Sequence, residues 1–302
     1  MTETDRSTVL TAFTDVVAGA PGRQPWAATA VAPVDRHGKR REYTSYRQIY
    51  ADPVRVEGRD YRRRYGWSDT GSQRPVPSRT TVLAPHGGGI EAGTSEICLA
   101  VAGYHPGTLR PLAGGPRHDY WMFEGLLEEE NSRLHVTSIG CDDPIALAMA
   151  GGGPHALGVH GCDAASVPDP GPRRDIAVVG GLDERFKDLL KEELGRADIP
   201  WRDANTVAGL EGTHRRNPCN RTALGMGAQL ELTEELRRSM FGRFLPRDRR
   251  RNDQLPRFWA FTDAVRTAIA RREAAEVPEV PEMTEAWEAR PVPRRPPGTP
   301  HP

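Results

Sequence analysis

Residues 80–97 read TTVLAPHGGGIEAGTSEI. The run TTVLAP is β-branched and apolar, as a strand requires, and it ends at His86. Three glycines follow, Glu91 stands five places after the histidine, and a helical pattern opens at Thr94, a residue suited to capping. Gly87, Gly88 and Gly89 let the backbone turn sharply and reach positive φ. The Glu91 carboxylate can therefore fold back beside the His86 imidazole, and both are common zinc ligands. Three glycines can also cradle a phosphate, but no Lys-Ser or Lys-Thr follows, which argues against a P-loop. Taken alone, the stretch also reads as a strand-ending turn with a surface His and Glu.

The strand-then-helix pattern recurs outward from this stretch. LHVTS (134–138), ALGVH (156–160), DIAVVG (175–180) and AQLEL (228–232) are further short apolar runs bounded by Gly, Pro or polar residues. Between them, DERFKDLLKEELG puts Phe186, Leu189, Leu190 and Leu194 on one helix face, with Asp183 as N-cap and Gly195 as stop. PRFWAFTDAVRTAIARR opens on Pro256 and closes on arginines that complement the helix dipole. Interleaved strands and helices predict an α/β sandwich on a mostly parallel sheet, whose site belongs at the C-terminal strand ends.

His160 ends the apolar run ALGVH just as His86 ends TTVLAP. Two strands of one sheet can bring both rings to one spot. With Glu91 they form His, Glu and His, a three-ligand set for a catalytic zinc with one open position. Glu231 lies between Leu230 and Leu232, either at an exposed edge or aimed into a pocket, where it could move the proton a hydrolytic zinc site requires. NPCNRT (217–222) places Asn220 and Arg221 in a loop before that strand. Such an Arg could steady an oxyanion or grip a carboxylate. His135 and His155 read as structural or exposed rather than as ligands.

Lys+Arg and Asp+Glu both number 41, so net charge is zero, which argues against a general nucleic-acid or membrane-surface binder. Cys98, Cys141, Cys162 and Cys219 form no CxxC pair and read as single buried or semi-buried thiols in a reducing compartment. No apolar stretch is long enough to cross a bilayer. The N-terminus starts acidic and carries no secretory pattern, so the expected location is cytoplasmic, or outside after lysis. Residues 1–42 read as a loosely held extension, and 274–302, dense in Pro and charge, as a disordered tail. The folded unit is expected over 43–273.

Several segments together resemble the poly-γ-glutamate hydrolase family: YRQIYADPVRVEGRDYRRR (46–64), APHGGGIEAGTSEI (84–97), YWMFEGL (120–126), LHVTS with DDP (134–144), VHGC (159–162), VGGLD (179–183), and NPCNR with GAQLEL (217–232). The resemblance implies a zinc carboxypeptidase-like fold, a three-layer α/β/α sandwich on a mixed sheet, and one zinc held by His86, Glu91 and His160. It implies Glu231 as general base, Arg221 at the oxyanion or a substrate carboxylate, and Asn220 beside it on the substrate. The implied substrate is a polyanionic γ-glutamyl polymer or peptide, cleaved at its amide bonds. Basic side chains should then line the groove, and RDYRRR (59–64) and RDRRR (247–251) are the candidates. Cys141 stands where the family usually has an aromatic, which would alter substrate preference if it borders the cleft. Two rival readings stand beside this one: a zinc amidase or peptidase of the same frame with another peptide substrate, and a non-catalytic, phage-related protein.

Overall fold

The computed structural model describes residues 42–68, 80–168, 172–245 and 247–275. The extension and tail expected over 1–42 and 274–302 lie outside these, apart from Glu42 and the last helical turn. The strands are β1 (Tyr61–Gly66), β2 (Thr80–Gly88), β3 (Asp119–Gly125), β4 (His155–Cys162), β5 (Ala177–Gly181), β6 (Trp201–Asp203) and β7 (Ala228–Thr233). The helices are α1 (Tyr46–Ala51), α2 (Thr94–Val101), α3 (Pro144–Gly151), α4 (Glu184–Arg196), α5 (Glu234–Ser239), α6 (Arg247–Arg250) and α7 (Pro256–Ala274).

The seven strands form one sheet in the order β1-β3-β2-β4-β7-β5-β6. β3, β2, β4 and β7 run parallel to one another, β1 is antiparallel to β3, β5 is antiparallel to β7, and β6 is parallel to β5. This is the expected mixed α/β sheet. Side chains alternate across it. Val82, Met122, Leu157, Val159, Leu230 and Leu232 face a core built with α2, α4 and α7. Leu83, Trp121 and Phe123 face the opposite way, against α1 and α3. A third, smaller core around Val178 lies under β5 and β6. At β4 and β7 the α1/α3 face carries Gly158, His160, Gln229 and Glu231 instead of apolar residues, and the hydrophobic layer is interrupted there.

Local chemistry accounts for the helix starts. Asp183 accepts the Phe186 N–H at 2.9 Å to open α4, and Phe186, Leu189, Leu190 and Leu194 are all buried, as their spacing requires. Asp143 accepts from Ile145 and Ala146 at the head of α3, with Pro144 in the first position. α2 differs slightly. Its cap position is Gly93, at φ 98°, and Thr94 instead donates its hydroxyl to the Glu91 carbonyl at 2.9 Å.

LHVTS is not a strand. Residues Asn131–Leu134 and Ser138–Gly140 are 3₁₀ turns, and the segment between them crosses the sheet face. β2 is already paired on both edges, by β3 and β4. The alternation that suggested a strand is real, since Leu134 and Val136 are both fully buried, but they pack down onto the sheet rather than into it. β3 takes the place in the sheet. Its Trp121 is fully buried with its ring 5.7 Å from Tyr46 in an edge-on arrangement. Trp121→Ala is expected to lower unfolding stability by about 3–5 kcal/mol, measurable as a shift in the urea midpoint at unchanged slope.

Candidate metal centre

A β-bulge aims His86. β2 and β3 stay in register from Thr81 to Ala84, then shift by one residue between Ala84 and Gly87. The extra residue puts His86, three places after Leu83, on the same face as Leu83, where strict alternation would turn it away. The Glu91 N–H then closes the loop onto the His86 carbonyl at 2.8 Å. Of the three glycines only Gly88 uses its conformational freedom, at φ 69°. Gly87 and Gly89 serve close approach: a Cβ would come within 2.3 Å of the Ser95 hydroxyl and 2.4 Å of the Asn131 amide respectively.

His86 Nδ1 lies 2.8 Å from Glu91 Oε1 and 3.2 Å from His160 Nδ1, and His160 Nδ1 lies 3.9 Å from Glu91 Oε2. The structure thus brings His86, Glu91 and His160 together, with one ligand atom of each within 4.8 Å of the others. Their lone pairs converge. His86 Nε2 is 2.6 Å from the Val136 carbonyl, which can only accept, so Nε2 carries the hydrogen. In the neutral ring Nδ1 is then a bare lone pair facing a carboxylate oxygen and a second imidazole nitrogen. A hydrogen on His160 Nδ1 would relieve the contact between the two rings and leave the carboxylate contact, whereas one cation relieves both. Zinc bonds of about 2.0–2.1 Å in a tetrahedron place neighbouring donors roughly 3.3 Å apart, within the span of the three observed separations. The donor set therefore fits zinc, and the Val136 carbonyl is the outer partner that holds His86 in the required tautomer.

The protonation states agree with that fit. Burial, followed by the neighbouring His86, pushes the His160 imidazole down to about 3, so it stays neutral. Burial raises the Glu91 carboxyl, but the positive charge of a protonated His86, followed by a hydrogen bond from His135, outweighs it and holds the group well below the ordinary carboxylate range, and a cation held at the same spot would act in the same direction. Neutral imidazole and ionised carboxylate are the forms that bind metal.

The cluster opens into a cavity of about 600 Å³. Glu231 is in its wall, directly across the β4–β7 ladder from His160. Its Oε1 accepts from Gln229 Nε2 at 2.9 Å, and Gln229 Oε1 in turn accepts from Asn217 Nδ2 at 2.6 Å. His135, read as structural, lies in the site: its ring centroid is 3.9 Å from that of His86 and its Nε2 is 3.5 Å from Glu91 Oε1. It was missed because the spacing rule considered only strand-end histidines. His155 is buried at the opposite end of β4, 4.0 Å from Asp183.

Asn220 and Arg221 do not line the cavity. Asn220 is buried, and both ends of its amide are committed: Nδ2 to the Gly212 and His214 carbonyls, Oδ1 to the Leu182 and Gly227 N–H groups. Arg221 is exposed. Cys141 belongs to the buried core on the α1/α3 face and is also absent from the cavity wall. All four cysteines are buried and free.

Of the two arginine stretches, Arg59, Arg63, Arg64, Arg250 and Arg251 do not line it either, and each is paired elsewhere. Arg59 bonds Asp60 at 2.7 Å; Arg63 meets Glu57 at 2.7 Å and Asp143 at 3.5 Å; Arg64 and Arg251 both meet Glu124. Arg250 is buried against Glu96 and the Gly88 carbonyl. Among the described residues, Arg237 is the arginine in the cavity wall.

Among solved structures, the chain resembles a bacteriophage poly-gamma-glutamate hydrolase, with a TM-score of 0.64 and 26% identity over 78% of this chain and 100% of that one. It also resembles a zinc-free apo structure of YndL, with a TM-score of 0.59 and 28% identity over 78% of this chain and 98% of that one. In sequence it is 31% identical over 226 residues to the UPF0714 protein YndL of Bacillus subtilis (strain 168), covering 74% of this chain and 80% of YndL. No helix among the described residues is long and apolar enough to cross a membrane. The model of the poly-gamma-glutamate hydrolase family matches residues 43–264, nearly the whole described core, and the chain belongs to that family.

Proposed function

We propose that this protein is a zinc-dependent hydrolase of γ-glutamyl amide bonds, acting on poly-γ-glutamate or a related γ-linked peptide. The observation that carries the reading is the meeting of two buried imidazole Nδ1 atoms and a carboxylate in a cavity whose next strand presents Glu231. His86, Glu91 and His160 would hold the ion. When bound, it would polarise the scissile carbonyl and acidify a water. Glu231 would take the proton from the attacking water and hand it to the departing nitrogen. Gln229 donates to Glu231 and orients its carboxylate for this task.

The substrate carries a carboxylate on every unit, and the cavity must tolerate it. Asp163 and Glu211 line the wall but spend an oxygen each on local backbone N–H groups, and Glu234 is bonded to Arg238. Positive charge would come from the loop that forms one wall: Thr213 and His214 line the cavity, the exposed Arg215 and Arg216 follow them, and Arg221, also exposed, comes after the same loop. These replace RDYRRR and RDRRR as the proposed contacts to substrate carboxylates.

The purified chain should shorten γ-linked oligoglutamates and leave α-linked ones intact, as read by product mass. A strong chelator should stop the reaction and stoichiometric zinc restore it. Cleavage of α-linked chains at equal rate would instead support the broader peptidase reading.

A further inference from the structure

Arg237 lies on α5, on the continuous β7–α5 segment that also carries Glu231. Its side chain is buried, and its guanidinium spans three carbonyls from three different elements. Nη1 donates to Ala92 at 2.6 Å, in the loop that carries Glu91. Nε donates to Leu232 at 3.1 Å, at the end of β7. Nη2 reaches Cys162 at 3.4 Å, at the end of β4. The guanidinium also lies against Gly161, where a Cβ would stand 2.6 Å from Arg237 Cζ. The Gly161 N–H, freed from any side-chain crowding, donates to Glu91 Oε2 at 2.6 Å.

The three elements tied together are those that carry Glu91, His160 and Glu231. Burying a cation among carbonyls is costly, and the fixed planar fork of Arg is the side chain able to meet three carbonyls at once; a Lys ammonium is a single point charge. We propose that Arg237 is a positioning residue that clamps the Glu91 loop against the ends of β4 and β7, so that the three donor atoms already face one another before the metal arrives. The clamp rests on the zinc reading above, and its readout is metal affinity rather than turnover.

The test titrates zinc into the apo form of the full chain against a chromophoric chelator, for the wild type, Arg237→Lys, Arg237→Met and Gly161→Ala. Outer partners of metal ligands typically contribute about ten- to hundredfold in affinity, and a rise in Kd of that size is expected in all three variants. Gly161→Ala keeps the guanidinium in the chain and pushes it aside, so it decides the matter if Arg237→Met fails to fold. A purely structural Arg237 would lower the melting temperature of the apoprotein and leave zinc affinity in place. A Kd within about threefold of wild type in folded Arg237→Lys and Gly161→Ala, well short of an outer-partner effect, overturns the clamp. Absence of zinc uptake by the wild-type chain removes the metal reading, and the clamp with it.

Discussion

Glu231→Gln is expected to keep zinc at the wild-type level and to lose turnover, with kcat falling by ~10²–10⁴-fold. Glutamine matches the shape of the glutamate and can still offer an oxygen to Gln229 Nε2, the bond that orients Glu231 at 2.9 Å. The Gln229 amide cannot flip to suit the change, because Asn217 Nδ2 already donates to its Oε1. The variant therefore preserves the packing around β7 and removes only the ability to accept a proton. KM should move little, since the ligands and rim residues are untouched, and the loss should fall on kcat. The measurement is steady-state hydrolysis of a γ-linked oligomer alongside zinc content of the same preparation. Undiminished kcat with zinc present would take Glu231 out of the mechanism.

How far the molecule could be read from its chain follows from which signals are local. α4 was legible because an Asp cap and a clean apolar stripe coincide at Asp183, Phe186, Leu189, Leu190 and Leu194. β2 and β4 were legible because each holds a short apolar run bounded by Gly or Pro, with a His shortly before the strand ends. β3 is harder: Tyr120 and Met122 face one core while Trp121 and Phe123 face the other, so both faces are apolar and no alternation remains to be seen. β1, YRRRYG, looks like a solvated charged turn. It is an edge strand antiparallel to β3 whose arginines find buried or half-buried carboxylates across the fold. Asp143 and Glu124 are remote in sequence, so the pairings of Arg63, Arg64 and Arg251 with them could not be anticipated.

The site divides in the same way. The His86–Glu91 spacing pointed to a tight loop, and the loop is there. The bulge that turns His86 toward His160 depends on β3 and was invisible. His135 and Arg237 reach the site through tertiary packing, one by crossing the sheet face and the other by returning on α5. Nothing in the spacing of either residue marks it, and Arg237 is one of 41 basic side chains.

His86→Ala is the change expected to cost most, because it removes the metal itself. His86 Nδ1 is the hub of the cluster, within 3.2 Å of both other donors. Without it Glu91 and His160 remain, and two protein donors fall short of the three that catalytic zinc sites use. The loss should exceed the roughly hundredfold ceiling of an outer partner. Glu91 Oε1 also loses a partner while partly buried, which weakens the loop further. After dialysis the variant should contain no stoichiometric zinc, and hydrolysis should fall to background. Stability gives a second, independent readout. A ligand that binds only the folded chain raises its stability in proportion to log concentration above Kd, so the wild-type apoprotein should melt at a higher temperature once zinc is added. His86→Ala should show no such rise over the same zinc range. A zinc-dependent rise equal to that of the wild type would mean that the ion is held elsewhere, and the convergence of these three side chains would need another explanation.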